Sequence, residues 1–174
     1  MKTIKRIGVL FMAIAISSFA LSCSSSDDGG DGGNAAQGTI KAKINGSSFT
    51  SNKDFTTATK ISAVGTLTIQ GSDNSGKGIN LTLNGVDGAG TYEIGSGVGG
   101  IAIIASYTEA NASNPMNSQS WQAPFDSNVA GEIKISELTD SKVVGTFYFT
   151  AKNSNDNSTK EVTEGSFNVN INTY

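Results

Sequence analysis

The chain has no histidine and a single cysteine, Cys23. Those two facts remove most nucleophilic and imidazole-based metal chemistry. A Ser/His/Asp or Cys/His arrangement needs an imidazole as its base, and a zinc site built on imidazoles needs the same side chain. Carboxylates remain. A glycosidase needs two of them flanking one bond, one with a raised pKa. Asp54, Asp87, Glu93, Glu109, Asp126, Glu132 and Glu137 are available. None lies in an apolar stretch that would favour its neutral form, and Glu132 reads as an outward strand residue. A carboxylate hydrolase is kept as a lesser alternative, and no catalytic residue is assigned.

Two further groupings have the types and spacing for binding. Asn153, Asn155 and Asn157 alternate, and Glu164 stands where a twelve-residue calcium loop puts its last ligand. Against calcium, the first position is Asn rather than Asp, Ser158 replaces the turn glycine, and the flanks read as strands. A polar hairpin tip is the plainer reading, and no metal or cofactor is expected. The other grouping surrounds Trp121, the sole tryptophan, in Ser118-Gln119-Ser120-Trp121-Gln122-Ala123-Pro124-Phe125. An indole flanked by amides suits a pyranose face, with Gln119, Gln122 and Asn128 as hydrogen-bonding neighbours. The alternative is that Trp121 and Phe125 plug one end of the fold. Trp121 ends a polar connection that starts near Thr108, and a long connection without obvious structure is functional or a disordered insertion.

Cys23 needs its own explanation, because a lone thiol cannot form an internal disulfide. It follows Lys2, Lys5 and Arg6, then an apolar run from Ile7 to about Leu21. A charged start, a short apolar core and small residues at its end describe a secretion signal. The run is shorter than the roughly 20 residues a membrane span requires. Ala20-Leu21-Ser22-Cys23 resembles the lipobox of bacterial lipoproteins, although Ala20 and Leu21 depart from its commonest form. The resemblance implies cleavage before Cys23 and lipid on its sulfur, so the expected partner is a membrane, held through that lipid. Residues 1–22 then form the leader and 23–37 a lipidated cysteine with a Ser/Asp/Gly tether. The tether has no apolar residue larger than alanine beyond Cys23. It cannot bury enough surface to offset its ordering entropy, and as a flexible linker it reaches roughly 20 Å. Asp27, Asp28 and Asp31 resemble the acidic export signal of outer-membrane surface lipoproteins. An outer-membrane location is expected, exposed at the cell surface, with a periplasm-facing one as the alternative.

Loss of the leader would take the net charge from −3 to −6 and leave nine scattered lysines with no arginine. Phosphate backbones need clustered Lys and Arg, so nucleic acid is not an expected partner. Anionic lipid headgroups are disfavoured for the same reason. A glycan or another envelope protein is left as the kind of partner to expect.

The elements that must position these residues read as strands. Phe167, Val169 and Ile171 alternate with Asn168, Asn170 and Asn172; Ile79, Leu81 and Leu83 alternate with Asn80 and Thr82. This period of two recurs at Ile40–Ile44, Glu132–Ser136 and Thr146–Thr150. Candidate strands are 38–45, 47–51, 59–71, 77–84, 90–94, 100–108, 130–138, 142–152 and 160–173. Residues 100–108 look apolar on both faces and hence central. Asn45-Gly46 predicts a tight hairpin. Val162 and Phe167 fall on opposite parities, which places a bulge at Gly165. A short helix is possible within 108–128. The expected fold for residues 38–174 is one all-β domain, an antiparallel β-sandwich of about eight or nine strands, with a closed or partly open barrel as the alternative.

Several pieces stand in a recognisable order. They are Lys43-Ile44-Asn45-Gly46 with Phe49, then Gly90-Thr91-Tyr92 with Ile94. Gly131-Glu132-Ile133-Lys134-Ile135-Ser136 follows, running into Gly145-Thr146-Phe147-Tyr148-Phe149, and Glu164-Gly165-Ser166-Phe167 comes last. This order resembles a large, uncharacterised family of Bacteroidota lipoproteins with a single β domain behind a lipobox. The resemblance implies no activity, substrate or catalytic residue. The expected function is a lipid-anchored, non-catalytic envelope module that binds or structures something, with a carbohydrate-binding accessory protein using Trp121 as the first alternative.

Overall fold

The computed structural model describes residues 35–98 and 101–173. The leader, Cys23 and the tether as far as residue 34 lie outside them. The described residues form thirteen strands and two single-turn 3-10 helices, Lys53–Phe55 and Pro115–Asn117. β1 (Thr39–Ile44) and β2 (Ser47–Thr50) make the first hairpin. β3 (Thr56–Ile61) and β4 (Thr66–Ser72) make a second, and β5 (Lys77–Leu83) adds to it. β6 (Gly90–Ile94) leads to a ribbon of β7 (Gly97–Val98) and β8 (Ile101–Ala102). β9 (Ile104–Glu109) and β10 (Gln119–Ala123) follow, then β11 (Gly131–Leu138), β12 (Lys142–Lys152) and β13 (Thr159–Thr173).

Eleven of these strands lie in two layers of one continuous sheet, and β7 and β8 pair only with each other. One layer runs β6-β11-β12-β13-β1-β2, the other β3-β4-β5-β9-β10. They join at two corners. Gln122 of β10 pairs with Lys152 at the end of β12, and Ile171, Asn172 and Thr173 of β13 pair in parallel with β3. The ladder β13-β3-β4-β5-β9-β10-β12 therefore closes on itself. The molecule is all-β, a sandwich by its layers and a partly closed barrel by its hydrogen bonds.

Alternation decides which side of each strand is buried. Ile40, Ala42, Ile133, Ile135, Val162, Phe167 and Val169 of the first layer meet Leu67, Ile69, Ile79, Leu81 and Ala105 of the second in one core. Three directly opposed pairs in the first layer match a glycine with a phenylalanine: Gly131 with Phe149, Gly145 with Phe167, and Gly165 with Phe147. A Cβ on Gly165 would stand 2.6 Å from Cε2 of Phe147, and one on Gly145 would run into the Phe167 ring. Gly145 and Gly165 thus leave room for the ring across from each, while a Cβ on Gly131 would meet the backbone of Tyr148 and Phe149. Phe147 in turn stacks on Phe149 and Phe167, at centroid distances of 6.2 and 6.1 Å.

The two turn expectations are met. Asn45 and Gly46 have φ of 48° and 80°, the left-handed pair that a two-residue hairpin loop requires. At the bulge, Phe147 pairs with Gly165 and Phe149 with Val162, so β13 spends one extra residue. Glu164 absorbs it with φ 50°.

Three strand expectations need correction. The run 59–71 is two strands, β3 and β4, turned at residues 62–65 with Gly65 at φ 64°. Residues 100–108 do not form a strand covered on both sides. Ile101 and Ala102 belong to the β7–β8 ribbon, and Ile104 on β9 is 45% exposed while Ile103 is buried. The connection 108–128 does hold a short helix, the 3-10 turn Pro115–Asn117, but it also contains an unexpected strand, β10, the antiparallel partner of β9. Packing also reaches upstream of residue 38: Ala35 is buried, and the Gly38 N–H donates to the Asn168 carbonyl at 2.7 Å.

Candidate functional site

At one end of the sandwich the inward positions change from apolar to polar. The inward residues of β9 run Ala105, Tyr107, Glu109, and those of β10 run Ala123, Trp121, Gln119, approaching the same end. The β12–β13 hairpin contributes Asn153 and Ser158 from its loop and Lys160 from β13, where Lys160 pairs with Ala151. The side chains with the most chemistry in the described residues meet here.

Trp121 is 4% exposed. Its Nε1–H donates to Ser158 Oγ at 2.9 Å, and its ring lies tilted against Tyr107 with centroids 5.7 Å apart. The Lys160 ammonium sits 4.5 Å from the centre of the indole and 5.6 Å from that of Tyr107. It also donates to Glu109 Oε1 at 2.9 Å, and the Tyr107 hydroxyl donates to the same oxygen at 2.9 Å. Beside them, Asn153 is buried; its Nδ2 donates to Gln119 Oε1 and its Oδ1 accepts the Asn155 N–H, each at 2.8 Å.

The electrostatics follow from these contacts. Burial pushes the Glu109 carboxyl up, but hydrogen bonds from Lys160 and Tyr107 outweigh it and hold the group below the ordinary glutamate value. Burial, then the hydrogen bond to Glu109, pushes the Tyr107 hydroxyl well above the ordinary tyrosine value. The set is self-satisfying: a cation rests on two aromatic faces and pairs with a carboxylate that a phenol also serves. Chemically it is a plug. The indole face carries an ammonium, which occupies the side a stacked ring would need.

The other residues singled out from the sequence are dispersed. Gln119 shares the face of Trp121, but Gln122 is on the opposite, exposed face and pairs with Lys152. Asn128 lies in the 124–130 loop, where the Asp126 carboxylate caps its backbone N–H, which donates to Asp126 Oδ1 at 2.8 Å. Glu164, offered as a calcium ligand, pairs with Lys43 at 2.8 Å instead. Among the described residues no group of three His, Cys, Asp or Glu side chains is placed to hold a metal. Glu93 and Glu132 are directly opposed on β6 and β11, on the outward side. Cys23 lies outside the described residues. Tyr107, Glu109 and Lys160 were not assigned to a site from sequence. Lys160 carried a signal, since it has the inward parity of Val162, two residues on.

No curated protein and no solved structure matches the chain. A family model described as a domain of unknown function (DUF6252) does match, over residues 36–170, which takes in every strand from β1 to β12 and most of β13. The protein therefore belongs to that uncharacterised family.

Proposed function

We propose that the protein is a lipid-anchored, non-catalytic module of the bacterial cell envelope, of the Bacteroidota lipoprotein kind. The observation that carries this is Cys23. It is the chain's only thiol, it follows a basic start and an apolar run, and it stands in Ala20-Leu21-Ser22-Cys23. Lipid on that sulfur would hold the β domain at the membrane, since each buried methylene contributes about 0.8 kcal/mol and two acyl chains hold durably. The acidic Asp27, Asp28 and Asp31 support display at the outer surface. The domain's role is binding or structuring rather than turnover. Its most polar inward side chains, Glu109 and Lys160, are spent on each other and on Trp121 and Tyr107. Trp121 enters this reading as part of the plug rather than as a sugar platform.

Metabolic labelling with an alkyne fatty acid tests the anchor. Label is expected on the wild-type protein and absent from Cys23→Ala; label that survives the substitution would place the anchor elsewhere. Protease treatment of whole cells tests display. Cleavage in intact cells is expected, and protection until lysis would turn the domain to the periplasm.

A further inference from the structure

The two layers differ in what they show to solvent. The first layer's outward side carries charges of both signs, among them Lys43, Glu132, Lys134, Lys142 and Glu164. The outward side of β3-β4-β5-β9-β10 carries none. The charged residues on those five strands are Lys60, Lys77 and Glu109, and all three have the parity of the core: Lys60 with Ala58, Lys77 with Ile79, and Glu109 with Tyr107. Lys60 accordingly reaches Asp140 in the other layer, and Glu109 reaches Lys160.

In place of charge, this face presents hydroxyls and amides in register. One cross-strand row reads Thr57-Gln70-Asn80-Ser106-Gln122. A second reads Thr59-Thr68-Thr82 and ends on the exposed Ile104, and Ile61 is exposed at the end of β3 on the same face. Strands about 4.8 Å apart make the first row about 19 Å long, with the second about 7 Å beside it. The rows already hold one another: Thr82 Oγ1 of the second donates to Asn80 Oδ1 of the first at 3.1 Å, and Asn80 Nδ2 donates to Gln70 Oε1 within the first at 3.4 Å.

We propose that this face is the binding surface of the module and that its partner is a neutral polysaccharide. The assignment rests on the binding role proposed above. A neutral glycan offers hydroxyls that both donate and accept, and amide and hydroxyl rows offer the same in return. The five strands turn no cation outward, and the single Lys152 beside Gln122 at one end of the row falls short of the clustered Lys and Arg that a phosphate backbone needs. The face also lacks the aromatic, Met and Arg anchors that mark protein interfaces. Many lipid-held copies on one surface would add avidity to individually weak contacts.

Affinity gels containing hydroxyethylcellulose, xylan, galactomannan or dextran test this, with alginate as the acidic comparison and the soluble form of residues 24–174 as the protein. Retardation by at least one neutral gel is expected, unchanged between low and high salt because no ion pair is involved. Gln70→Glu with Asn80→Asp keeps the shape and adds charge at the exposed Gln70 and the half-buried Asn80; about tenfold weaker retention is expected. Glu132→Gln on the other layer is expected to change nothing. Passage through all four neutral gels would overturn the proposal, as would retention that the double variant keeps or retention by alginate alone. A dimer in sedimentation that the double variant abolishes would give the face to a second copy instead. None of these outcomes bears on fatty-acid labelling of Cys23, so the anchor and the binding surface stand or fall separately.

Discussion

Trp121 carries more of the plug than any other side chain. Truncation to alanine removes a buried ring, its hydrogen bond to Ser158 and the seat of Lys160. Trp121→Ala is expected to cost about 3–5 kcal/mol in urea unfolding. Glu109 and Tyr107 give the plug opposite limbs of pH dependence. The Glu109 carboxyl is held low in the fold, so its contribution is present above the ordinary glutamate value of about 4.3 and is lost as pH falls through the folded value. Tyr107 is held high, so stability is intact below about pH 10 and is lost as pH climbs past it, where the unfolded phenol ionises first. Tyr107→Phe is expected to flatten the alkaline limb between pH 9 and 11, while the acid limb remains. An alkaline limb as steep as wild type would show that Tyr107 does not supply it.

Two expectations belong to the strands. Gly145 faces the Phe167 ring across the β12–β13 ladder, with the Lys134 carbonyl close on its other flank. Neither neighbour is a flexible side-chain end, so Gly145→Ala is expected to destabilise by about 1–3 kcal/mol, the usual cost of overpacking. Wild-type stability in the variant would mean that the ring moves freely. Glu93 and Glu132 are like charges directly opposed at a sheet edge. Glu93→Thr removes the repulsion and supplies a better strand former, and a gain of about 0.2–1 kcal/mol is expected in low salt, shrinking at high salt.

Legibility at this scale followed the contrast between neighbours. Phe167, Val169 and Ile171 against three asparagines gave β13, and the parity clash between Val162 and Phe167 gave the bulge. β10 was missed because its outward and inward residues are nearly all amides and small side chains, so only Trp121 stood out. β3 and β4 merged because Ser62-Ala63-Val64-Gly65 has neither proline nor a run of polar residues to mark a turn. The site followed the same logic. Trp121 as an end plug was legible, and its partners on β9 and β13 were not, because Lys160 lies 39 positions away and only the ladder order brings it there.

For the whole molecule, the decisive pairings are between distant parts of the chain. β1 pairs with β13, and the last residues of β13 pair with β3. Folding therefore needs most of the chain before its sheets can close, and millisecond-to-second refolding is expected. Ending the chain at Asn170 would remove the β13–β3 ladder and the buried Ile171. That truncation is expected to lower unfolding free energy by at least the 2–5 kcal/mol of a core isoleucine deletion. A smaller loss would mean that the corner at β10 and β12 suffices to hold the layers together.

The seating of Ala35 beside Asn168 has a mechanical consequence. In the lipid-anchored form proposed above, drag on the domain would be resisted through the segment that leads back toward Cys23, and the load would enter the fold at Ala35 and Gly38. Both are hydrogen-bonded to Asn168 of β13. That strand is bound on one side by β12 and on the other by β1 and β3. Tension is thus handed at once to the strand that ties the two layers together, rather than to an edge strand that could be peeled away.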